Sequence, residues 1–165
     1  MKKIQIIWEH PSRPPEVGED DLERILTVFL DKLGLGGHGV TLLVADDQTL
    51  AGLNRDHRGV AGPTDILSWG YLDPAAPEEQ PQNDPTMDEV GPLLGEMAVS
   101  LDAAIRQAGE NRWDLRTELF RLLAHGCAHL AGHDHQTPEQ ERLMLPLEES
   151  LLAAAGLEGL YGDGS

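Results

Sequence analysis

The stretch DLRTELFRLLAHGCAHLAGHDH, residues 114–135, combines an amphipathic helix pattern with four of the seven histidines of the chain. Asp114 is a favourable helix N-cap, and Gly132 is a typical stop signal. Between them, leucines recur at helical spacing at positions 115, 119, 122 and 123. The stretch therefore predicts a helix over 114–131 that buries a leucine face and ends in a histidine-rich turn.

The histidines have the spacing of a metal site. His125 and His129 are four residues apart, so their side chains lie on the same face of the helix. Gly132 lets the chain turn back, and either His133 or His135 can then supply a third ligand. Three neutral histidine nitrogens leave one coordination position of zinc open for water, as catalytic zinc sites require. The spacing predicts a metal site and leaves the choice of the third histidine open.

One residue of this pattern argues against a peptidase. The spacing H-x-x-x-H-x-x-G-x-x-H overlaps the metzincin signature H-E-x-x-H-x-x-G-x-x-H. This chain has Gly126 where the metzincins have the glutamate that acts as general base. Peptide hydrolysis by that mechanism is therefore not expected.

The composition favours a single cytosolic domain. The 165 residues, of which 40% are hydrophobic, fit one domain over 1–165 with one core. No stretch approaches the roughly 20 apolar residues that a membrane span needs, and the apolar run near the N-terminus is too short for a signal peptide. The one cysteine, Cys127, excludes an intramolecular disulfide and suits a reducing cytosol.

Strand and helix patterns are mixed along the rest of the chain. Residues 73–92 contain five prolines and six acidic residues, which predicts a surface loop or insertion rather than a second domain. Pro146 should break or kink the last helix. The mixture predicts an α+β domain with a small mixed sheet flanked by helices, one of them a zincin-like helix that carries the histidines. Strands are expected at 3–8, 40–45, 64–70 and 95–100, and helices at 20–33, after Asp46 to about 55, at 101–110, at 114–131 and from 138 onward.

Three segments resemble those of a known family. HGCAHLAGHDH, residues 125–135, resembles the H-G-x-x-H-L-x-G-x-D-H signature of the bacterial YbeY endoribonucleases, the rRNA maturation factors. LNRDHRGVAGPTDILSW, residues 53–69, is similar to that family's L-N-x-x-x-R-x-x-x-x-P-T-D-V-L-S-F block, and LGEMAVSLDAA, residues 94–104, to its L-G-D-I-x-I-S strand. The resemblance covers most of residues 40–150 in order and at matching spacing. It implies a compact fold with a small mixed sheet and helices.

The resemblance also implies roles for individual residues. It implies that His125, His129 and His135 bind one zinc ion, and it selects His135 over His133 as the third ligand. Arg58 falls on the functionally important arginine of the family. A guanidinium is always cationic and matches phosphate geometry, so we predict that Arg58 binds the scissile phosphate and stabilises the pentacoordinate state. The catalytic residues expected are thus Arg58 and the three histidine ligands.

The chain departs from the family pattern at three places. His133 replaces a usual tyrosine and places a fourth imidazole near the metal, while Ala128 replaces a usual leucine. The segment 73–92 is longer than is typical of the family. The rim of the active-site cleft is therefore expected to differ from that of other members. Asp134, beside the histidines, is expected either to orient a ligand histidine or to cap the next turn.

The resemblance implies a single-strand-specific, zinc-dependent endoribonuclease that acts in 16S rRNA 3′-end maturation and in ribosome quality control. The implied partners are RNA and the ribosome or its assembly proteins in the cytoplasm, without DNA or a membrane. Two alternatives are a metallohydrolase on another substrate, such as a peptide, and a non-catalytic ribosome-associated protein with structural zinc. A structural site would need a fourth ligand, for which His133 and Cys127 are the nearby candidates.

The charge of the chain bears on how RNA would be bound. The formal net charge is −17, with 29 acidic and 12 basic residues, whereas affinity for phosphates depends on Lys and Arg. Arg55, His57 and Arg58 form a local basic group that can focus a field within a cleft. We therefore expect weak binding of isolated RNA and delivery of the substrate by the ribosome or another protein.

Overall fold

The computed structural model describes residues 4–59, 64–70, 93–131 and 138–156, without the side chains of 57, 58, 93 and 138–145. The loop expected at 73–92 and the stop signal at Gly132 lie outside the described residues. The elements of the described residues are, in chain order, β1 (Ile4–Trp8), α1 (Glu19–Lys32), β2 (Gly39–Ala45), α2 (Asp47–Arg58), β3 (Ile66–Gly70), β4 (Leu93–Ser100), α3 (Leu101–Asn111), α4 (Leu115–Leu130) and α5 (Pro138–Ala154).

The four strands form one mixed sheet in the order β1-β2-β4-β3. Strands β1, β2 and β4 are parallel, with Ile4 opposite Val40 and Val40 opposite Gly95. Strand β3 pairs antiparallel with β4, with Ile66 opposite Val99. A parallel pair needs a long crossover, and α1 provides it between β1 and β2. The small mixed sheet flanked by helices that the sequence predicted is confirmed.

The two faces of the sheet are covered unequally. Side chains alternate between the faces of a strand, and those on one face pack with α1, α4 and α5 in the main hydrophobic core. On the opposite face, Leu50 of α2 packs with Ala45, Leu67 and Ala98 in a smaller cluster. The strand residues that point into the main core and are at most 1% exposed are Val40, Leu42, Val44, Met97 and Val99.

No helix in the described part of the chain is long and apolar enough to cross a membrane.

The histidine helix α4 begins and packs as the sequence predicts. Asp114 Oδ1 accepts a hydrogen bond of 2.8 Å from the backbone N–H of Thr117. Hydrogen bonds from Thr117 hold the pKa of Asp114 below its usual value. The predicted leucine face is buried against the sheet and the neighbouring helices, and its members are Leu115, Leu119, Leu122 and Leu123.

The last helix differs from the prediction. Of the expected break or kink at Pro146, the break is wrong, because α5 runs through that residue as one helix. Proline inside a helix costs roughly 3 kcal/mol, since it lacks an N–H and its ring crowds the preceding turn. Leu151 and Leu152 are fully buried, and burial of one leucine side chain contributes about 1.5–3 kcal/mol. Packing therefore offsets the cost, and Pro146 itself is exposed on the outer side of α5.

Candidate metal centre

Helix α4 brings two of the predicted ligands together. The Nε2 atoms of His125 and His129 lie 3.1 Å apart, and the two ring centroids are 4.7 Å apart at an interplanar angle of 74°. Two histidine nitrogens at about 2.0–2.1 Å from one zinc, at a tetrahedral angle, would be separated by about 3.3 Å. The pair thus already has the separation that two ligands of one metal ion require.

Helix α5 adds a carboxylate to this pair. Glu148 Oε2 lies 2.6 Å from Nδ1 of His125, and the Glu148 side chain is only 7% exposed. The sequence reasoning missed this residue, because 23 positions separate it from His125. A signal was present nonetheless: Glu148 stands three and four residues before the buried Leu151 and Leu152, on the inner face of α5, where a carboxylate requires a partner.

Several predicted site residues fall outside what the structure describes. His135, the expected third ligand, is one of them, as are His133 and Asp134. Residues 4–59, 64–70, 93–131 and 138–156 contain no group of three or more His, Cys, Asp or Glu side chains placed to hold a metal ion. Arg58 is the last residue of α2, and Gly59, with a φ of 67°, is the C-cap of that helix. The side chain of Arg58 is not among those described.

Cys127 lies among the hydrophobic residues of the main core and is fully buried. Burial raises the pKa of its thiol to about 12, because the charged thiolate loses its solvation there. A thiol binds zinc as the thiolate, so Cys127 is poorly suited to be a fourth ligand. Cys127 thus packs in the core as a small buried hydrophobe.

Two glycines explain how close α4 lies to the sheet. A Cβ on Gly126 would lie 2.6 Å from Met97 Sδ and 2.9 Å from Ser68 Oγ. A Cβ on Gly95 would lie 2.7 Å from Leu130 Cδ2 of the same helix. The position where a metzincin carries its catalytic glutamate therefore faces the packed sheet and has no room for a glutamate side chain.

Asp65, at the start of β3, has a structural environment. Its Oδ1 accepts a hydrogen bond from the backbone N–H of Ile66 at 2.7 Å, and its Oδ2 accepts one from Gln107 at 3.2 Å. Its backbone carbonyl accepts a hydrogen bond from the N–H of Ser100 at 2.8 Å. Asp65 thus has a structural role, because it joins β3 to β4 and α3.

Comparison with known proteins identifies the group to which the chain is related. A family model described as "Endoribonuclease YbeY" matches residues 10–156. The chain belongs to this family. The family expected from the three sequence segments is therefore confirmed.

Individual members of the family are similar along most of their length. The endoribonuclease YbeY of Symbiobacterium thermophilum is 38% identical over 155 residues, which cover 93% of this chain and 92% of that protein. The protein of the same name from Moorella thermoacetica is 39% identical over 145 residues, with 86% and 90% covered. That of Thermus thermophilus is 36% identical over 141 residues, with 86% and 94% covered.

A solved structure supports the fold. The solution structure of TM1509 from Thermotoga maritima is similar to this chain with a TM-score of 0.56. The match covers 93% of this chain and 91% of that one, at 21% sequence identity. At that identity the likeness shows the fold alone, and it agrees with the α+β architecture described above.

Proposed function

We propose that this protein is a zinc-dependent endoribonuclease whose metal ion is held by His125, His129 and His135. Membership in the YbeY family gives the class of reaction, the endonucleolytic cleavage of RNA. The observation that carries the metal site is the 3.1 Å separation of the two Nε2 atoms on α4. The third ligand, His135, is supported by the resemblance of residues 125–135 to the H-G-x-x-H-L-x-G-x-D-H signature of the family.

In the proposed hydrolysis of RNA, the histidines bind the metal ion and Arg58 binds the phosphate. His125 and His129 present nitrogen lone pairs from one face of α4, and His135 would supply the third ligand nitrogen. When bound at three histidines, zinc supplies Lewis acidity, which polarises a phosphoryl oxygen and makes water nucleophilic near neutral pH. Arg58, at the end of α2, binds the scissile phosphate through its forked guanidinium and offsets the charge that develops at phosphorus.

The two alternatives have less support. A peptidase of the metzincin type needs a glutamate at position 126, and Met97 and Ser68 occupy the space that its side chain would need. A closed structural zinc site needs a fourth ligand; of the two candidates, Cys127 is fully buried among the hydrophobic residues of the main core, and His133 lies outside the described residues. The first observation weighs against a peptidase of this type, and the second weighs against Cys127 as a fourth zinc ligand.

The biological substrate is proposed from the family resemblance. The protein would act on single-stranded RNA, in maturation of the 16S rRNA 3′ end and in ribosome quality control, as one domain in the cytoplasm. The net charge of −17 favours delivery of the RNA by the ribosome or an assembly protein over tight binding of free RNA. DNA and membranes are not expected partners.

Metal analysis coupled to an RNA cleavage assay tests the proposal. We expect one zinc ion per purified chain, cleavage of an rRNA fragment, loss of cleavage with a chelator and recovery on addition of zinc. His129→Ala should lose zinc and cleavage together, whereas His38→Ala, which removes an imidazole just before β2, should lose neither. Cleavage at an unchanged rate by the chelated protein, or retention of zinc by His129→Ala, would contradict the proposal.

A further inference from the structure

Glu148 is one of two glutamates that are buried among the described residues. The other, Glu118, forms an ion pair of 2.6 Å with the guanidinium of Arg121 three residues further along α4. Glu148 instead extends from α5 to the imidazole of His125, at 2.6 Å. A buried carboxylate is costly unless it is paired or hydrogen-bonded, so each glutamate occupies a specific position, and that of Glu148 is defined by a proposed metal ligand.

The contact bears on which nitrogen of His125 carries the proton. When Glu148 is ionised it can only accept hydrogen bonds, and the donor in this contact is then Nδ1–H of His125. A neutral imidazole has one N–H, so Nε2 of His125 then carries a lone pair. That Nε2 faces Nε2 of His129 at a distance of 3.1 Å. The lone pair of His125 therefore points to where two ligands of one metal ion would converge.

We propose that Glu148 is a positioning residue for the metal centre. It fixes His125 in the Nδ1–H tautomer and fixes the orientation of its ring, so that Nε2 is ready to bind a divalent cation. The inference rests on the proposed function, since it needs His125 to be a ligand. It assigns to α5 a direct part in the site: the packing of α5 on α4 that buries Leu151 and Leu152 also places the carboxylate behind the imidazole.

The tautomer can be measured on the wild-type protein without metal. At about pH 8, where an ordinary histidine is neutral, ¹⁵N NMR distinguishes a protonated ring nitrogen from one with a lone pair. We expect the proton of His125 on Nδ1 and the lone pair on Nε2. A proton on Nε2 of His125 would overturn the proposal. This measurement involves no substitution and so does not depend on whether a variant folds.

Metal affinity gives the second test, with a matched control in the next residue. Glu148→Gln keeps the size of the side chain but removes its charge and lets the amide donate to Nδ1, which favours the wrong tautomer. We expect a loss of zinc affinity of about 10–100-fold, measured by competition with a chelator below the melting transition. Glu149→Gln removes the same charge from an exposed position of α5 and should change the affinity less than about twofold.

The outcomes separate this inference from the proposed function. Wild-type protein that binds no zinc would overturn both. Tight zinc binding by the wild type, its loss in His129→Ala and unchanged affinity in Glu148→Gln would overturn the role of Glu148 and leave the metal site standing. A purely structural Glu148 would lower the melting temperature of the metal-free protein but not its zinc affinity, and that result would also overturn the proposal.

Discussion

Gly126 of α4 lies directly against Met97 of β4, so that a Cβ on residue 126 would stand 2.6 Å from Met97 Sδ. Ser68 Oγ and Ile66 Cδ1 would be 2.9 and 3.0 Å from the same atom. The glycine therefore has a packing role, because it lets the histidine-bearing end of α4 lie against β3 and β4. Because Gly126 lies between His125 and His129 in the sequence, the same contact holds the part of α4 that carries both histidines against the sheet.

Gly126→Ala should destabilise the protein, because the added methyl group must displace side chains of the sheet. A matched control is Gly109→Ala in α3, where a Cβ would meet nothing within 4 Å. Both substitutions gain the same helix propensity, so their difference isolates the contact with the sheet. We expect Gly126→Ala to be about 1–3 kcal/mol less stable than Gly109→Ala in urea unfolding of metal-free protein. Equal stabilities would show that α4 does not pack this closely.

Arg58→Ala should abolish cleavage without loss of the metal. If its guanidinium stabilises charge at the phosphate, its removal should lower kcat on an rRNA fragment by about 100-fold or more. Zinc content and melting temperature should stay at wild-type values. Arg24→Ala is a suitable control, because it removes the same charge from an exposed side chain of α1. Wild-type cleavage by Arg58→Ala would exclude the role in phosphate binding.

The N-cap of α4 should contribute to stability. Asp114 Oδ1 accepts the hydrogen bond from the Thr117 N–H that would otherwise lack a partner in the helix. We expect Asp114→Ala to lower the free energy of unfolding by about 1 kcal/mol, and Asp114→Asn, which keeps an acceptor oxygen, to lower it much less. Thermal or urea unfolding of the three proteins measures this. Equal losses in the two variants would mean that the cap is not the cause.

Local sequence patterns predicted most of the fold. The leucine spacing of α4, the cap at Asp114 and the strand patterns each depend on neighbouring residues, so they can be recognised without a structure. The His125 and His129 pair belongs to the same class, because i and i+4 positions of a helix share a face.

The features that escaped prediction depend on packing between distant segments. Glu148 reaches His125 only because α5 lies against α4; its spacing from Leu151 and Leu152 indicates burial, but nothing in the sequence indicates that its partner is His125. The helix continues through Pro146 because the buried Leu151 and Leu152 outweigh a local preference. Gly126 could be recognised as a missing glutamate, but its packing role required the position of Met97.

Stability should depend on the ionised form of Asp47 at the start of α2. Asp47 accepts hydrogen bonds of 2.7 Å from Arg106 and from the hydroxyl of Ser100, and Arg106 is the larger cause of its lowered pKa. A carboxyl whose pKa is lower in the folded protein stabilises the fold above its unfolded pKa of about 3.9. That contribution is lost as the pH falls through the lower folded pKa.

Arg106→Gln should therefore raise the pKa of Asp47 and make acid unfolding begin at a higher pH. The carboxyl ¹³C resonance of Asp47, followed during titration, reports the pKa directly, and circular dichroism reports the unfolding. Arg24→Gln is the matched control, because its guanidinium lies 3.8 Å from Asp21 at the surface of α1 and does not contact Asp47. An Asp47 pKa that stayed as low in Arg106→Gln as in the wild type would mean that Ser100, and not the cation, holds the carboxylate ionised.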